Sequence, residues 1–139
     1  MAADSRHFFM AMIPPKATKQ EAKVTVGRDG KPHWYPSERW SRAEADIASR
    51  LERFRPEEPI AGDGVGVILS VEWCFPLDGH ADGEPYLDKP DTDNLDKGLK
   101  DIMTGLGWWD DDARVFCESI VKVHGRIPGI RIDIEEVRP

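Results

Sequence analysis

The chain contains little cysteine and no long apolar run. Its two cysteines, Cys74 and Cys117, lie 43 positions apart without a CxxC spacing, which argues against a zinc knuckle and against a disulfide framework. We therefore predict that both are buried thiols. No apolar stretch approaches the roughly 20 residues of a membrane-spanning helix, and Met1–His7 lacks the charged and then apolar layout of a secretory signal. These absences predict a cytoplasmic protein without a membrane partner.

Length and charge narrow the class of protein further. A chain of 139 residues, 32% charged and 40% hydrophobic, suffices for one core, so we predict a single domain over residues 1–139. Its formal net charge of −7 argues against nucleic acid as a partner, because phosphate binding favours Lys and Arg. The charge is uneven, however: residues 1–55 hold 11 basic and 7 acidic side chains, whereas residues 84–112 hold 3 basic and 9 acidic ones. Such a concentration of carboxylates either forms a solvated loop or converges on a cation.

The hydrophobic pattern predicts six strands and two helices. Alternating apolar and polar residues and short apolar runs are typical of strands, whereas apolar residues three and four positions apart are typical of helices. The predicted strands cover residues 7–13, 24–26, 33–35, 65–75, 114–124 and 130–137, and the predicted helices cover residues 37–56 and 95–106. This order predicts an α+β (mixed α/β) fold, in which two main helices cover a small mixed β-sheet.

Three local features refine this outline. Asp29-Gly30 lies between β-prone residues and predicts a hairpin turn. Ser37 or Ser41 can cap the first helix, whose outer face presents arginines that either lie in solvent or contact phosphate. These arginines are Arg39, Arg42, Arg50 and Arg53. Pro76–Pro90 has no periodicity and predicts a long mobile loop of the kind that is often functional.

Acidic side chains lie before and after the second helix. Asp91 and Asp93 precede it, and Asp110–Asp112 follow it after a Gly-Trp-Trp turn. Asp93, Lys97 and Asp101 fall within about 80° of one another on the polar face of this helix. Mg²⁺ prefers carboxylate oxygens, and an Asp-x-Asp pair with a distant third Asp can supply them. The pattern therefore predicts a metal site at which a lysine stabilises phosphate charge.

Each of these residues also has a more ordinary interpretation. Asp91 or Asp93 alone is most often a helix cap or a partner of the helix dipole, and Asp101 commonly pairs with Lys97 on a surface. Three aspartates after a tryptophan pair commonly form a solvated turn, and Trp108–Trp109 suit the core better than a base-stacking role. A glycosyltransferase with an Asp-x-Asp pair would need a larger nucleotide-sugar domain. Spacing alone leaves the metal site and the solvated surface open.

The stretch Asp91–Val115, DTDNLDKGLKDIMTGLGWWDDDARV, resembles the motif of the RusA family of Holliday junction resolvases. That motif runs D-x-D-N-L-x-K, continues with a further D and an aromatic pair, and ends in D-D-A-x-V. About 25 residues match densely, and the rest of the chain is similar in layout: a first strand before two prolines, an early helix, a long strand into a loop, and two closing strands.

The resemblance implies a small homodimer that binds four-way DNA junctions during recombination and repair and nicks them symmetrically with Mg²⁺ or Mn²⁺. It implies that Asp91, Asp93 and Asp112 bind the metal and that Lys97 is catalytic. Asp111 would support the metal site. Such proteins are common in phages and prophages.

Two departures from the family pattern are present. Asp110 occupies a position that is usually apolar in the family. Members of the family can also carry a run of arginines just before the motif, whereas this chain has only one basic residue there, Lys89. Two alternative functions therefore stay open. One is a catalytically inactive DNA-binding or structural protein of this family, and the other is a nuclease of branched DNA in general.

Overall fold

The strands form one four-stranded sheet and one separate two-stranded ribbon. The computed structural model of the chain describes residues 3–139, with side chains from Ser5 onward; the expectation stated for Met1–His7 lies partly outside this range. The strands are β1 (Ala3–Ala11), β2 (Ala22–Val26), β3 (Pro32–Pro36), β4 (Gly66–Phe75), β5 (Val115–His124) and β6 (Gly129–Val137). The helices are α1 (Glu38–Glu52) and α2 (Thr92–Gly105), and a 3-10 turn covers Asp112–Arg114.

The main sheet has the strand order β1-β6-β4-β5. β4 runs parallel to β5 and antiparallel to β6, and β6 pairs antiparallel with β1. Parallel neighbours need a crossover connection, and α2 lies in the connection between β4 and β5. The mixed sheet with two helices confirms the predicted α+β class. No helix between residues 3 and 139 is long and apolar enough to cross a membrane.

One face of the sheet carries the core. Alternation in β4 puts its odd-numbered side chains on this face, and Val67, Leu69 and Trp73 are almost fully buried there. The helices add their apolar stripes, namely Trp40, Ala43, Ile47 and Leu51 from α1 and Leu95, Leu99, Ile102 and Met103 from α2. Burying one such side chain contributes about 1.5–3 kcal/mol, so this common core holds both helices on the sheet.

Several element ends differ from the sequence-based expectation. β1 begins at Ala3 rather than at His7, because it pairs with β6 as far as Val137. Ser37, not Ser41, caps α1, and its hydroxyl accepts a hydrogen bond from the Trp40 N–H at 3.0 Å. The predicted hairpin is confirmed as the ribbon formed by β2 and β3.

The segment Pro76–Pro90 is irregular, as predicted, but it is fastened to the end of β5. The Tyr86 N–H donates to the Lys122 carbonyl at 3.0 Å, and the His124 N–H donates to the Glu84 carbonyl at 2.8 Å. The Tyr86 ring is buried and stacks on Phe75. These contacts argue against the mobility expected for this loop.

The prediction of two buried thiols is wrong for Cys117. Cys74 is buried, whereas Cys117 is exposed. Cys117 pairs with Ile68 of β4 and lies on the edge strand, on the sheet face opposite α2. Alternation tells which residues share a face, but not which face is left uncovered.

Gly98 sets the distance between the two helices. A Cβ atom on Gly98 would lie 2.7 Å from the outer ring of Trp40, whereas a Cβ atom on Gly105 would meet no atom within 4 Å. Trp40 is 5% exposed, so its ring has little room to move. Glycine at position 98 is therefore required by packing.

We expect Gly98→Ala to destabilise the fold by about 1–3 kcal/mol through overpacking. Gly105→Ala is the matched control, and we expect it to be neutral or to stabilise by up to about 1 kcal/mol, because alanine favours the helix. Urea unfolding of both variants measures the difference. Equal stabilisation by both substitutions would contradict the close packing of α1 on α2.

Candidate active site

Asp91 and Asp93 lie at the amino end of α2. Asp91 is the N-cap residue with an extended backbone, and its side chain makes no capping hydrogen bond. Asp93 lies in the first turn, where a carboxylate interacts favourably with the helix dipole. Both side chains are exposed, so two carboxylates at this end are free to bind a ligand.

Lys97 follows one turn after Asp93 and is exposed. Within residues 5–139 it forms no ion pair. The expected surface pair with Asp101 is not formed, because Asp101 accepts a hydrogen bond from Lys19 Nζ at 2.6 Å. The Lys97 ammonium is thus available on the same helix face as Asp93.

The three later aspartates differ in what they contact. Arg114 binds Asp110 through two hydrogen bonds, at 2.7 and 2.9 Å, and these bonds hold the pKa of Asp110 below its usual value. Asp111 accepts a hydrogen bond from the Ala113 N–H at 2.8 Å. Asp112 is exposed and begins the 3-10 turn. Asp110 therefore has a structural partner, whereas the Asp112 carboxylate has none among the described residues.

The tryptophan pair fixes this turn to the body of the protein. Trp108 and Trp109 are 0% and 1% exposed, and Trp109 Nε1 donates to Thr104 Oγ1 at 2.8 Å. Backbone hydrogen bonds also join Ile60 to Trp108 and to Asp110. Burial agrees with the core role and leaves these rings no surface for stacking on a base.

The two groups of acids lie at opposite ends of α2. Fourteen residues give this helix a length of about 21 Å. At its amino end, Lys122 Nζ donates to the carbonyls of Asp88 and Pro90 at 2.8 Å. Val115, seven residues before Lys122, pairs with the other end of β4, and Asp112 lies beyond it. One chain therefore carries Asp91 and Asp93 at the same end of α2 but keeps Asp112 and Asp111 away from them.

The aspartate carboxylates at the two ends of α2 are chemically suited to bind a magnesium ion. Within one chain, however, they lie too far apart to bind the same ion. Carboxylate oxygens are the ligands Mg²⁺ prefers, and Mg²⁺ is commonly held by only one or two of them. No group of three or more His, Cys, Asp or Glu side chains in the described part of the chain is placed to hold a metal ion. The expectation that the acids on both sides of α2 converge is therefore not met by a single copy.

A second carboxylate cluster was missed by the sequence interpretation. The Asp96 side chain is 10% exposed, and Lys100 Nζ lies 3.4 Å from Asp96 and 3.2 Å from Glu118. Asp96 Oδ1 has no hydrogen-bond partner among the described residues. Burial, followed by a hydrogen bond with Glu118, raises the pKa of Asp96 to about 6, against the opposing charge of Lys100.

The helical spacing of α2 could have predicted that Asp96 is partly buried. At about 100° per residue, Asp96 lies about 20° from Met103 on α2, at the margin of the apolar stripe. An acidic side chain beside the apolar stripe lies close to the sheet on which the stripe packs. Its partner Glu118 lies on β5, whose position the sequence pattern does not reveal.

We expect the free energy of unfolding to depend on pH through Asp96. Because its folded pKa lies above the ordinary value of 3.8, the folded state binds the proton more tightly. This stabilisation is present below about pH 4 and is lost as the pH rises through about 6. Relative to Asp96→Asn, the wild-type chain should lose up to about 3 kcal/mol between these pH values.

Urea unfolding of both proteins at pH 4 and pH 7 measures this loss. Ser119→Ala, a substitution on β5 without a titratable group, is the control, and its effect should be equal at both pH values. A constant difference between wild type and Asp96→Asn at the two pH values would contradict the assignment.

Comparison with known proteins adds an independent observation. The family model described as Endodeoxyribonuclease RusA matches residues 12–135, which include all the acids of this site. No curated protein matches the chain. Because the match covers most of the chain, the protein belongs to the RusA endodeoxyribonuclease family and is a DNA-binding nuclease of the Holliday junction resolvase type.

Proposed function

We propose that this nuclease requires Mg²⁺ or Mn²⁺ and resolves four-way DNA junctions by paired, symmetric nicks as a homodimer. The observation that supports the proposal most directly is family membership over residues 12–135, combined with exposed carboxylates at both ends of α2. A hydrolysis reaction at a phosphodiester needs a nucleophile made from water and a means of neutralising the phosphoryl oxygens. A bound divalent cation supplies both.

In this proposal Asp91, Asp93 and Asp112 bind the metal. Asp91 and Asp112 have no hydrogen bond to their carboxylates among the described residues, so no existing contact would be lost. One oxygen of Asp111 is already bound to the Ala113 N–H, and Asp111 therefore has a supporting role. Lys97 has the charge and the exposure to bind a phosphoryl oxygen and to stabilise its growing negative charge.

The separation of the two acid groups supports a homodimer. A rigid helix about 21 Å long separates Asp91 and Asp93 from Asp112 within one chain. A site that uses all three requires a second copy, which contributes its own acids from the opposite end of its α2. Two-fold symmetry then repeats the site, so a symmetric dimer holds two sites for the two strands that are cut.

We expect Asp93→Asn to lose cleavage of a synthetic four-way junction by roughly 100-fold or more, since a metal ligand contributes several kcal/mol to transition-state stabilisation. Junction binding in a chelator should be unchanged or tighter, because a negative charge that faces phosphate has been removed. Gel analysis of nicks and a binding titration measure the two effects. Asp46→Asn, an exposed aspartate on α1, is the control and should cut normally.

The same assay tests the alternatives. Nicks that appear with Mg²⁺ and vanish with chelator support the metal-dependent nuclease, whereas no nicks under either condition support an inactive DNA-binding protein. Equal cutting of flaps and four-way junctions would instead indicate a general nuclease of branched DNA. Cleavage by Asp93→Asn at the wild-type rate would remove the proposed metal site.

We expect mixtures of two inactive variants to reveal a shared site. In a heterodimer of Asp93→Asn and Asp112→Asn, a shared arrangement leaves one site with both substitutions and the other with none, so nicking of one strand returns. A mixture of Asp91→Asn and Asp93→Asn is the matched control and should stay inactive, because each site then carries one substitution. Failure of the first mixture, with heterodimers verified by mass, would contradict the shared site.

A further inference from the structure

The ribbon formed by β2 and β3 exposes an entire apolar face. Directly paired residues lie on the same face of an antiparallel ribbon, and the pairs are Ala22 with Pro36, Val24 with Trp34, and Val26 with Pro32. Val24, Val26 and Trp34 are 51%, 74% and 70% exposed. The ribbon makes no extensive contact with another strand or helix of the described chain, so this face is free to meet a partner.

Cations border this face at the turn. Arg28 and Lys31 lie in the turn and are exposed, whereas Lys23, which pairs with Tyr35, lies on the opposite face of the ribbon. Asp29 is the single acid of the ribbon, and its carboxylate is occupied by the Lys31 N–H at 2.9 Å and by His33 at 3.2 Å. In a chain of net charge −7, this surface is suited to a polyanion that also offers apolar area.

The base of the ribbon borders a cavity that contains Asp91. This cavity of about 340 Å³ is lined by Lys16, Arg39 and Lys89 together with Glu21, the residue that precedes β2. Three basic side chains thus lie beside Asp91 at the base of the ribbon, where Arg39 also pairs with Glu21 at 3.5 Å. A nucleic acid bound at Asp91 would meet these cations before it reaches the apolar face.

The size of the face favours a nucleic acid over a second protein chain. Two five-residue strands measure about 17 Å by 5 Å between their axes. That footprint is far below the roughly 800 Å² that each partner buries in a stable protein interface. It is sufficient for one or two nucleotide bases.

We propose that the ribbon is a DNA-binding arm that contacts the branch point of the junction. The Trp34 indole stacks on a base that is unpaired there, and Arg28 and Lys31 of the turn bind the flanking phosphates. Aromatic side chains stack on any exposed base, so this contact selects for branched DNA rather than for sequence. The inference rests on the proposed function and identifies how the substrate's branch is recognised.

Tryptophan fluorescence isolates this contact. Trp34 is 70% exposed, whereas Trp40, Trp73, Trp108 and Trp109 are 5% exposed or less, so acrylamide quenches chiefly Trp34. In a chelator, which prevents cutting, a synthetic four-way junction should protect the wild-type chain from acrylamide. A linear duplex with the same arm sequences should protect it much less. Trp34→Phe should show little quenching with or without DNA, which assigns the quenched signal to Trp34.

Affinity is the second measurement. Trp34→Ala should weaken junction binding by about 5- to 100-fold, the range found for loss of one base stack, and should change duplex binding much less. Ile127→Ala is the matched control, because Ile127 is also 70% exposed but lies in the turn between β5 and β6. It should bind both DNAs as the wild type does.

The outcomes separate this inference from the proposed function. If the wild type binds and cuts junctions, but a junction protects Trp34 from acrylamide no more than the duplex does and Trp34→Ala matches the wild type in affinity, the inference alone is overturned. If Trp34→Ala dissociates the dimer in sedimentation velocity, a second copy covers the face and the inference is overturned. Wild-type protein that neither binds nor cuts junctions would overturn both. Should Trp34→Ala fail to fold, the comparison of junction and duplex protection in the wild-type chain decides.

Discussion

The packing of α2 on the sheet determines how the acids of this nuclease can be used. The apolar stripe of α2 lies on the core face of the sheet, and Gly98 allows the helix to approach Trp40 of α1. The helix is held along its whole length and cannot bend to bring its two ends together. Asp91 and Asp93 at one end are therefore separated by the length of the helix, about 21 Å, from the turn that leads to the later acids.

The same helix carries a charge that the proposed chemistry does not use. Asp96 faces β5 and shares Lys100 with Glu118, where one oxygen has no partner within the described chain. A buried polar atom without a hydrogen bond lowers stability, and burial favours the protonated acid. The attachment of α2 to β5 thus combines strong apolar contacts with one polar contact that depends on the proton concentration.

Local patterns in the sequence predicted much of the fold. The alternation of residues 65–75 identified β4 and its buried face, Asp29-Gly30 identified the ribbon, and helical spacing put Lys97 and Asp93 on the outer face of α2. These features depend on neighbours in the chain. The mixed sheet followed from the order of the elements.

Local sequence patterns did not predict contacts between parts of the chain that are distant in sequence. Asp101 pairs with Lys19 rather than with Lys97, and Asp110 pairs with Arg114, which distinguishes it from Asp112. The separation of the two acid groups depends on the direction in which β5 runs back along α2, and spacing in the sequence contains no such information. The roles of the metal-binding residues remain predictions.

The uncovered face of the sheet has a practical consequence for studying assembly. Cys117 is exposed on it, whereas Cys74 is buried and its thiol has a pKa raised by that burial, which slows reaction because the thiolate is the nucleophile. A maleimide or nitroxide reagent thus has one accessible attachment point per chain without any engineering. A single label per chain makes the distance between the copies in any dimer measurable by spectroscopy in solution.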